Sequence, residues 1–231
     1  TEDGLRSALD SPEAYQAFKE WTELFTNFRI PKQANFYNRF RTGEMPIGIE
    51  QYWTYVALSV AAPELQGWWE MRPIPGKMMA DGRINRSTGG AGGVAVIFQH
   101  TPFEQEAWEL LKWWTDAPTQ VRFGTELEAL IGVEARWPSA NVEALKSLPW
   151  PRKDVEAILA QWDWFQEIPV VLGGYFTPRH LNNAWNRVVL QGWHPREALE
   201  EAVKEINREL RRKQEEFGIA APPEAEERPR F

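Results

Sequence analysis

Apolar residues recur at helical spacing over most of the chain, and only a few short stretches alternate or cluster as strands do. Residues 11–28 set the pattern. Ser11 and Pro12 open the segment, and Ala14, Phe18, Trp21, Phe25 and Phe28 follow along one face. Serine is a favoured N-cap and proline suits the first helical turn, so a helix is predicted to begin there. A shorter helix is expected over 35–42, closed by Gly43, and another over 56–62, stopped near Pro63. Thr101-Pro102-Phe103-Glu104 reads as a capping box ahead of Ala107, Trp108, Leu111 and Trp114. Further helices are predicted over 119–129, 141–147 and 153–165. Thr177-Pro178 begins one with Leu181, Trp185, Val188 and Val189 inward and Gly192 at its end. Pro195 begins the last, with Ala198, Leu199, Ala202, Ile206, Leu210 and Phe217 in register beneath a solvated coat of Glu, Lys and Arg.

Strand candidates are few and isolated: 45–51, 68–73 and 94–98. The glycines at 89, 90, 92 and 93 let backbone pass close to something bulky, which reads as a hinge or crossover leading into the third strand. A phosphate loop is a poor reading of that run, because it carries no Gly-Lys-Ser/Thr and precedes a strand rather than a helix. Residues 79–87 read as a polar connector, and the Ala-Pro-Glu tail after Gly218 as disordered. Helices dominate, and the strands are too few for a complete sheet. Such a chain makes sense as part of a larger two-lobed α/β protein.

Composition narrows the function classes. The 231 residues are 43% hydrophobic and 26% charged, a globular balance. A formal net charge of -7 argues against nucleic acid, whose partners are basic. No apolar run approaches the roughly 20 residues that span a bilayer. The chain opens Thr1-Glu2-Asp3-Gly4, without an initiator Met or a signal peptide, so a trimmed segment is expected. Absence of Cys excludes disulfides, thiolate metal sites and cysteine nucleophiles. Tryptophan is the anomaly, with 13 residues against 5 Tyr. Neighbours in sequence cannot share one face of an element. One member of each doublet, Trp68-Trp69 and Trp113-Trp114, must therefore face away from the main core.

The candidate chemistry lies at 36–53. There a short helix, a Gly-containing turn and an apolar stretch lead to Tyr52-Trp53, flanked by Glu50 and Gln51. In open α/β sheets, ligands sit beyond the carboxyl ends of strands. An aromatic pair there, with polar neighbours, suits a sugar or another small polar ring. The alternative is that both rings are core. Catalytic signatures are missing. Glu50 is a candidate carboxylate with Glu126 or Glu128 as a conceivable partner, but no spacing supports a pair. His100, His180 and His194 lack metal-ligand spacing, and Ser139 lacks a nucleophile elbow.

The order of these motifs resembles the C-terminal portion of extracellular solute-binding proteins, family 1, of sugar-uptake ABC transporters. Phe40-Arg-Thr-Gly-Glu-Met-Pro-Ile-Gly-Ile resembles the family's helix-to-strand step, and Gln51-Tyr-Trp its cleft aromatics. Residues 69–75 resemble a strand ending in a turn, 89–97 the segment that crosses between lobes, and 104–123 the paired helices that follow. Gly173-Gly-Tyr-Phe-Thr-Pro-Arg-His-Leu-Asn-Asn-Ala-Trp and the last helix resemble a Gram-positive lipoprotein branch. The resemblance implies an α/β fold of the periplasmic-binding-protein-like type II, here a helix-rich partial fragment. It implies part of one lobe in 1–88, a crossover and the returning segment of the other lobe in 89–150, C-terminal helices in 151–218, and a tail in 219–231. Full members are longer.

By that resemblance the protein is no enzyme and needs no cofactor or metal. It captures a carbohydrate outside the membrane, on a lipoprotein anchor at the outer face, and passes it to ABC permease subunits, as a monomer when full-length. Trp53 stacks on a sugar ring with Tyr52 beside it, Glu50 and Gln51 take hydroxyls, and Tyr175, Phe176 and Arg179 add a second platform and a donor. Trp185 reads as core. The alternatives are a glycoside hydrolase fragment and a Trp-rich protein-interaction module.

Overall fold

The computed structural model of the chain describes residues 1, 3–90, 92–167 and 170–219. Among them are nine α-helices: α1 (Pro12–Thr26), α2 (Phe36–Arg41), α3 (Thr54–Ala61), α4 (Glu104–Thr115), α5 (Ala117–Ile131), α6 (Val142–Ser147), α7 (Arg152–Trp162), α8 (Phe176–Gln191) and α9 (Pro195–Glu216). A short antiparallel hairpin joins β1 (Lys77–Met78) to β2 (Ile84–Asn85), with Lys77 opposite Asn85 and Met78 opposite Ile84. No described helix is long and apolar enough to cross a membrane. The chain divides into two compact units, Thr1–Ala34 with Pro169–Phe231, and Asn35–Ile168.

The first unit is three helices around one core. Ser11 accepts from the Ala14 N–H at 3.2 Å and starts α1 as the sequence predicts. Phe18 of α1, Ala184 and Val188 of α8, and Ala198, Leu199 and Ala202 of α9 form the buried cluster. Trp185 packs against it, edge-on to Phe25 at 4.9 Å between ring centroids. Gly192 ends α8 in the left-handed region at φ 75°. Further along α9, Ile206, Leu210 and Gln214 are buried, and the Gln214 amide donates to the Leu5 carbonyl at 2.7 Å. Phe217, expected in register with them, is exposed, because α9 ends at Glu216 and turns. From residue 220 the expected tail lies outside the described residues.

The second unit holds an aromatic-rich core. Leu145, Leu148, Trp150, Val155 and Ile158 are its buried cluster, with Tyr52, Tyr55, Trp137 and Trp162 packed against it. Buried Gln120 ties this wall together. Its amide donates to the Trp114 carbonyl at 2.7 Å, and its oxygen accepts from the Trp137 indole at 2.7 Å and the Ser139 hydroxyl at 3.0 Å. The Trp doublets divide as expected: Trp69 and Trp114 pack on aromatic neighbours, while Trp68 and Trp113 are exposed.

The strands predicted over 45–51, 68–73 and 94–98 are absent among the described residues. A strand exists through its ladder, and these peptide groups are spent elsewhere or stay open. The Met45 N–H donates back to the Arg39 carbonyl at 3.1 Å, and Pro46 has no N–H to offer. The Trp68 N–H closes a turn onto Leu65 at 3.0 Å. Just past the second stretch, the Ile74 N–H is taken by the Gln161 side chain at 2.9 Å. Conversely, the hairpin's turn and β2 lie in the stretch read as a polar connector, with β1 just before it. Asp81-Gly82 turns it, with Gly82 at φ 80°. Helix α4 starts at Glu104 with no side-chain cap, because Thr101 caps the preceding turn at the Phe103 N–H instead.

Candidate functional site

In the second unit the chain climbs from α2 to the expected site. Gly43 turns it at φ 78°. Gly48 then crosses the face of Phe36 so closely that a Cβ there would lie 2.1 Å from the ring. The extended stretch is thus pinned to α2 by packing. At its end, the Thr54 and Tyr55 N–H groups donate to the Gln51 and Tyr52 carbonyls and nucleate α3.

That turn sends the two aromatics different ways. Tyr52 packs inward, its ring 5.9 Å from Trp150 and 6.3 Å from Trp162. Burial pushes its phenol up to about 12 from the usual 10.0. Trp53 stays 53% exposed, and Glu50 and Gln51 are exposed beside it in sequence. A half-exposed indole on a base wedged into an aromatic wall is a fixed apolar surface with polar neighbours. Below it, Tyr55 packs on Trp150 at 5.2 Å, and burial together with the buried Asp154 raises its phenol.

The carboxylates weighed as hydrolytic partners are engaged elsewhere. Glu126 binds Arg122 at 2.8 Å along α5. Glu128 forms a two-pronged, largely buried pair with Arg136 at 3.0 and 2.5 Å, and that guanidinium stacks 5.4 Å from the Trp150 ring. This pair holds the wall together, and its hydrogen bonds raise the Arg136 pKa further. No cluster of three or more metal-ligating side chains occurs among the described residues.

Tyr175, Phe176 and Arg179 belong to the first unit, at the start of α8. Gly173, at φ 77°, and Gly174 deliver the chain to that point, and a Cβ on Gly174 would strike Val171 at 2.8 Å. Tyr175 stacks on Phe176 with centroids 4.1 Å apart and planes at 33°, and it is 66% exposed. Phe176 is backed by His180 at 6.4 Å and by the Arg212 guanidinium at 5.8 Å. Sequence reasoning missed Arg212. It lies on α9, and only the packing of α9 on α8 brings it there.

Two open grooves carry none of the residues expected to bind a sugar. One, of about 560 Å³, runs between α5 and α6 past Val121, Arg122 and Glu143. The other, of about 310 Å³, lies in the first unit between Tyr15, Thr22, Trp193 and His194.

No protein-family model matches the chain, and no curated protein matches it by sequence. Solved structures do match. The sugar-binding protein MalE from Xanthomonas citri superposes with a TM-score of 0.74 at 19% identity, over 94% of this chain and 53% of that one. An ABC transporter solute-binding protein from Thermotoga lettingae, bound with alpha-D-tagatose, gives 0.65 at 21% identity, over 91% and 52%. The chain therefore has the periplasmic-binding-protein-like fold, and it spans about half the length of these structures.

Proposed function

We propose that this chain is part of the substrate-binding component of an ABC importer. It captures a carbohydrate outside the cytoplasmic membrane and delivers it to the permease without chemical conversion. The observation that carries this reading is the match over 94% of the chain to a protein described as sugar-binding, joined by a second that holds tagatose. Solute-binding proteins work by closing around a ligand, so affinity comes from surfaces that need no reactive group. Trp53 supplies the apolar platform for a sugar ring, Tyr52 anchors it from behind, and Glu50 and Gln51 take hydroxyls. Tyr175, Phe176 and Arg179 supply the second set. The segmentation expected from sequence belongs to the same proposal, with 89–150 as crossover and returning segment.

The test is a thermal-shift screen against mono- and oligosaccharides, repeated with Trp53→Ala. A ligand that binds only the folded state at a hundredfold excess over Kd stabilises it by about 2.7 kcal/mol. The expected outcome is a sugar-specific rise in Tm that the variant loses while its unliganded Tm is unchanged. A screen in which no saccharide shifts Tm overturns the carbohydrate assignment.

A further inference from the structure

We infer that the sugar received at Tyr175 is an acidic one, with Arg179 as the partner of its carboxylate; this rests on the carbohydrate reading above. Tyr175 and Arg179 stand one helical turn apart and so share a face of α8. The same spacing is realised next door, where Phe176 and His180 are in ring contact. The Tyr175 ring is already stacked on Phe176 and leaves 66% of the residue exposed, so a rigid aromatic surface lies next to Arg179.

The guanidinium of Arg179 makes no ion pair, hydrogen bond or ring contact among the described residues. This sets it apart from its surroundings. Arg187, Arg196 and Arg212 each lie over an aromatic ring, and Arg212 also binds Glu209 at 2.8 Å. Arg179 is exposed and does not cover Tyr175, although that ring is one turn away. Its place is also electrostatically unfavourable. It sits near the positive end of the α8 dipole, and the first turn of α8 holds no acidic residue to offset it. An anion arriving there meets an unspent bidentate donor beside a stacking surface. Arg212 is already paired, so of these two guanidinium groups only that of Arg179 is unspent among the described residues, which matches one carboxylate. A pyranose with an apolar face for Tyr175 and a carboxylate for Arg179 is a uronic acid.

The experiment is calorimetric titration of the whole chain with glucose, galactose, glucuronate and galacturonate, repeated with Arg179→Gln and Arg179→Lys. Each acid differs from its neutral parent only at C6. The expected result is that at least one uronate binds tenfold or more tightly than its parent. Arg179→Gln should then erase that preference while leaving the Tm unchanged, and Arg179→Lys should restore part of it. Neutral sugars binding as tightly as the acids, or a preference that survives Arg179→Gln, overturns the inference and leaves the carbohydrate reading standing. Absence of binding to all four overturns the inference outright, and the wider saccharide screen then decides the carbohydrate reading separately.

Discussion

Tyr52 and Trp53 are adjacent and chemically similar, yet they meet opposite environments, and a single turn of backbone decides which. Tyr52 sits where the ring reaches Trp150 and Trp162. Trp53, one residue on, faces outward at the start of α3. The consequence for Tyr52 is measurable. Its folded-state pKa is about 12 against 10.0 unperturbed, so folding favours the neutral phenol. Below pH 10 that contribution to stability is fully present. Between pH 10 and pH 12 the unfolded chain ionises Tyr52 first, and the contribution is lost as pH rises. The expected outcome is that the urea midpoint of the wild type falls more steeply over that window than the midpoint of Tyr52→Phe, which has no proton to lose. Equal slopes for the two proteins would show that Tyr52 titrates at its ordinary value and is solvated.

Helices were legible in the sequence because their signals are local. Ser11, Asn35 and Asn141 each cap the predicted start with a side-chain oxygen, and Gly43 and Gly192 mark ends with positive φ. Strands were not legible, because alternation at 47, 49, 94, 96 and 98 specifies only that a residue suits a sheet, not that a partner exists. The candidate site divides along the same line. The sequence left Trp53 open between platform and core, and singled out Tyr175 only through the family resemblance; the structure leaves both exposed. The anchoring of Tyr52 depended on Trp150 and Trp162, and the backing of Phe176 by Arg212 on the packing of α8 against α9. The local rules are testable at Gly192. It adopts φ 75° with open space around its Cα, so Gly192→Ala meets no clash and suffers only backbone strain. That strain costs roughly 1–2 kcal/mol. Asparagine tolerates the left-handed region, so Gly192→Asn is expected to lose less than alanine in chemical denaturation. An alanine variant as stable as the wild type would mean that the turn after α8 re-forms without the left-handed cap.

At the scale of the whole molecule, two extended apolar stretches lie open, and they differ in how they are guarded. Ile47 and Ile49 are exposed, but Pro46 removes a donor from that edge and Glu50 places a charge at its end. Such devices keep a free edge from pairing with another chain. Residues 92–98 have neither. Val94 is 88% exposed, Val96 71% and Phe98 80%, and the stretch contains no charge and no proline. No backbone hydrogen bond joins 92–97 to another strand among the described residues. High β-propensity, low charge and an open backbone together make a pairing-prone segment. In the folded chain these side chains rest on little, so replacing one removes little packing. Val96→Lys is therefore expected to slow concentration-dependent aggregation, followed by light scattering, while leaving the free energy of unfolding within about 0.5 kcal/mol of the wild type. Ile47→Lys, on the guarded stretch, is expected to change the aggregation rate much less. If both substitutions slow aggregation equally, proline and glutamate are not acting as guards. If Val96→Lys instead lowers the melting temperature, the 92–98 segment packs in solution against a surface that its exposure here does not reveal.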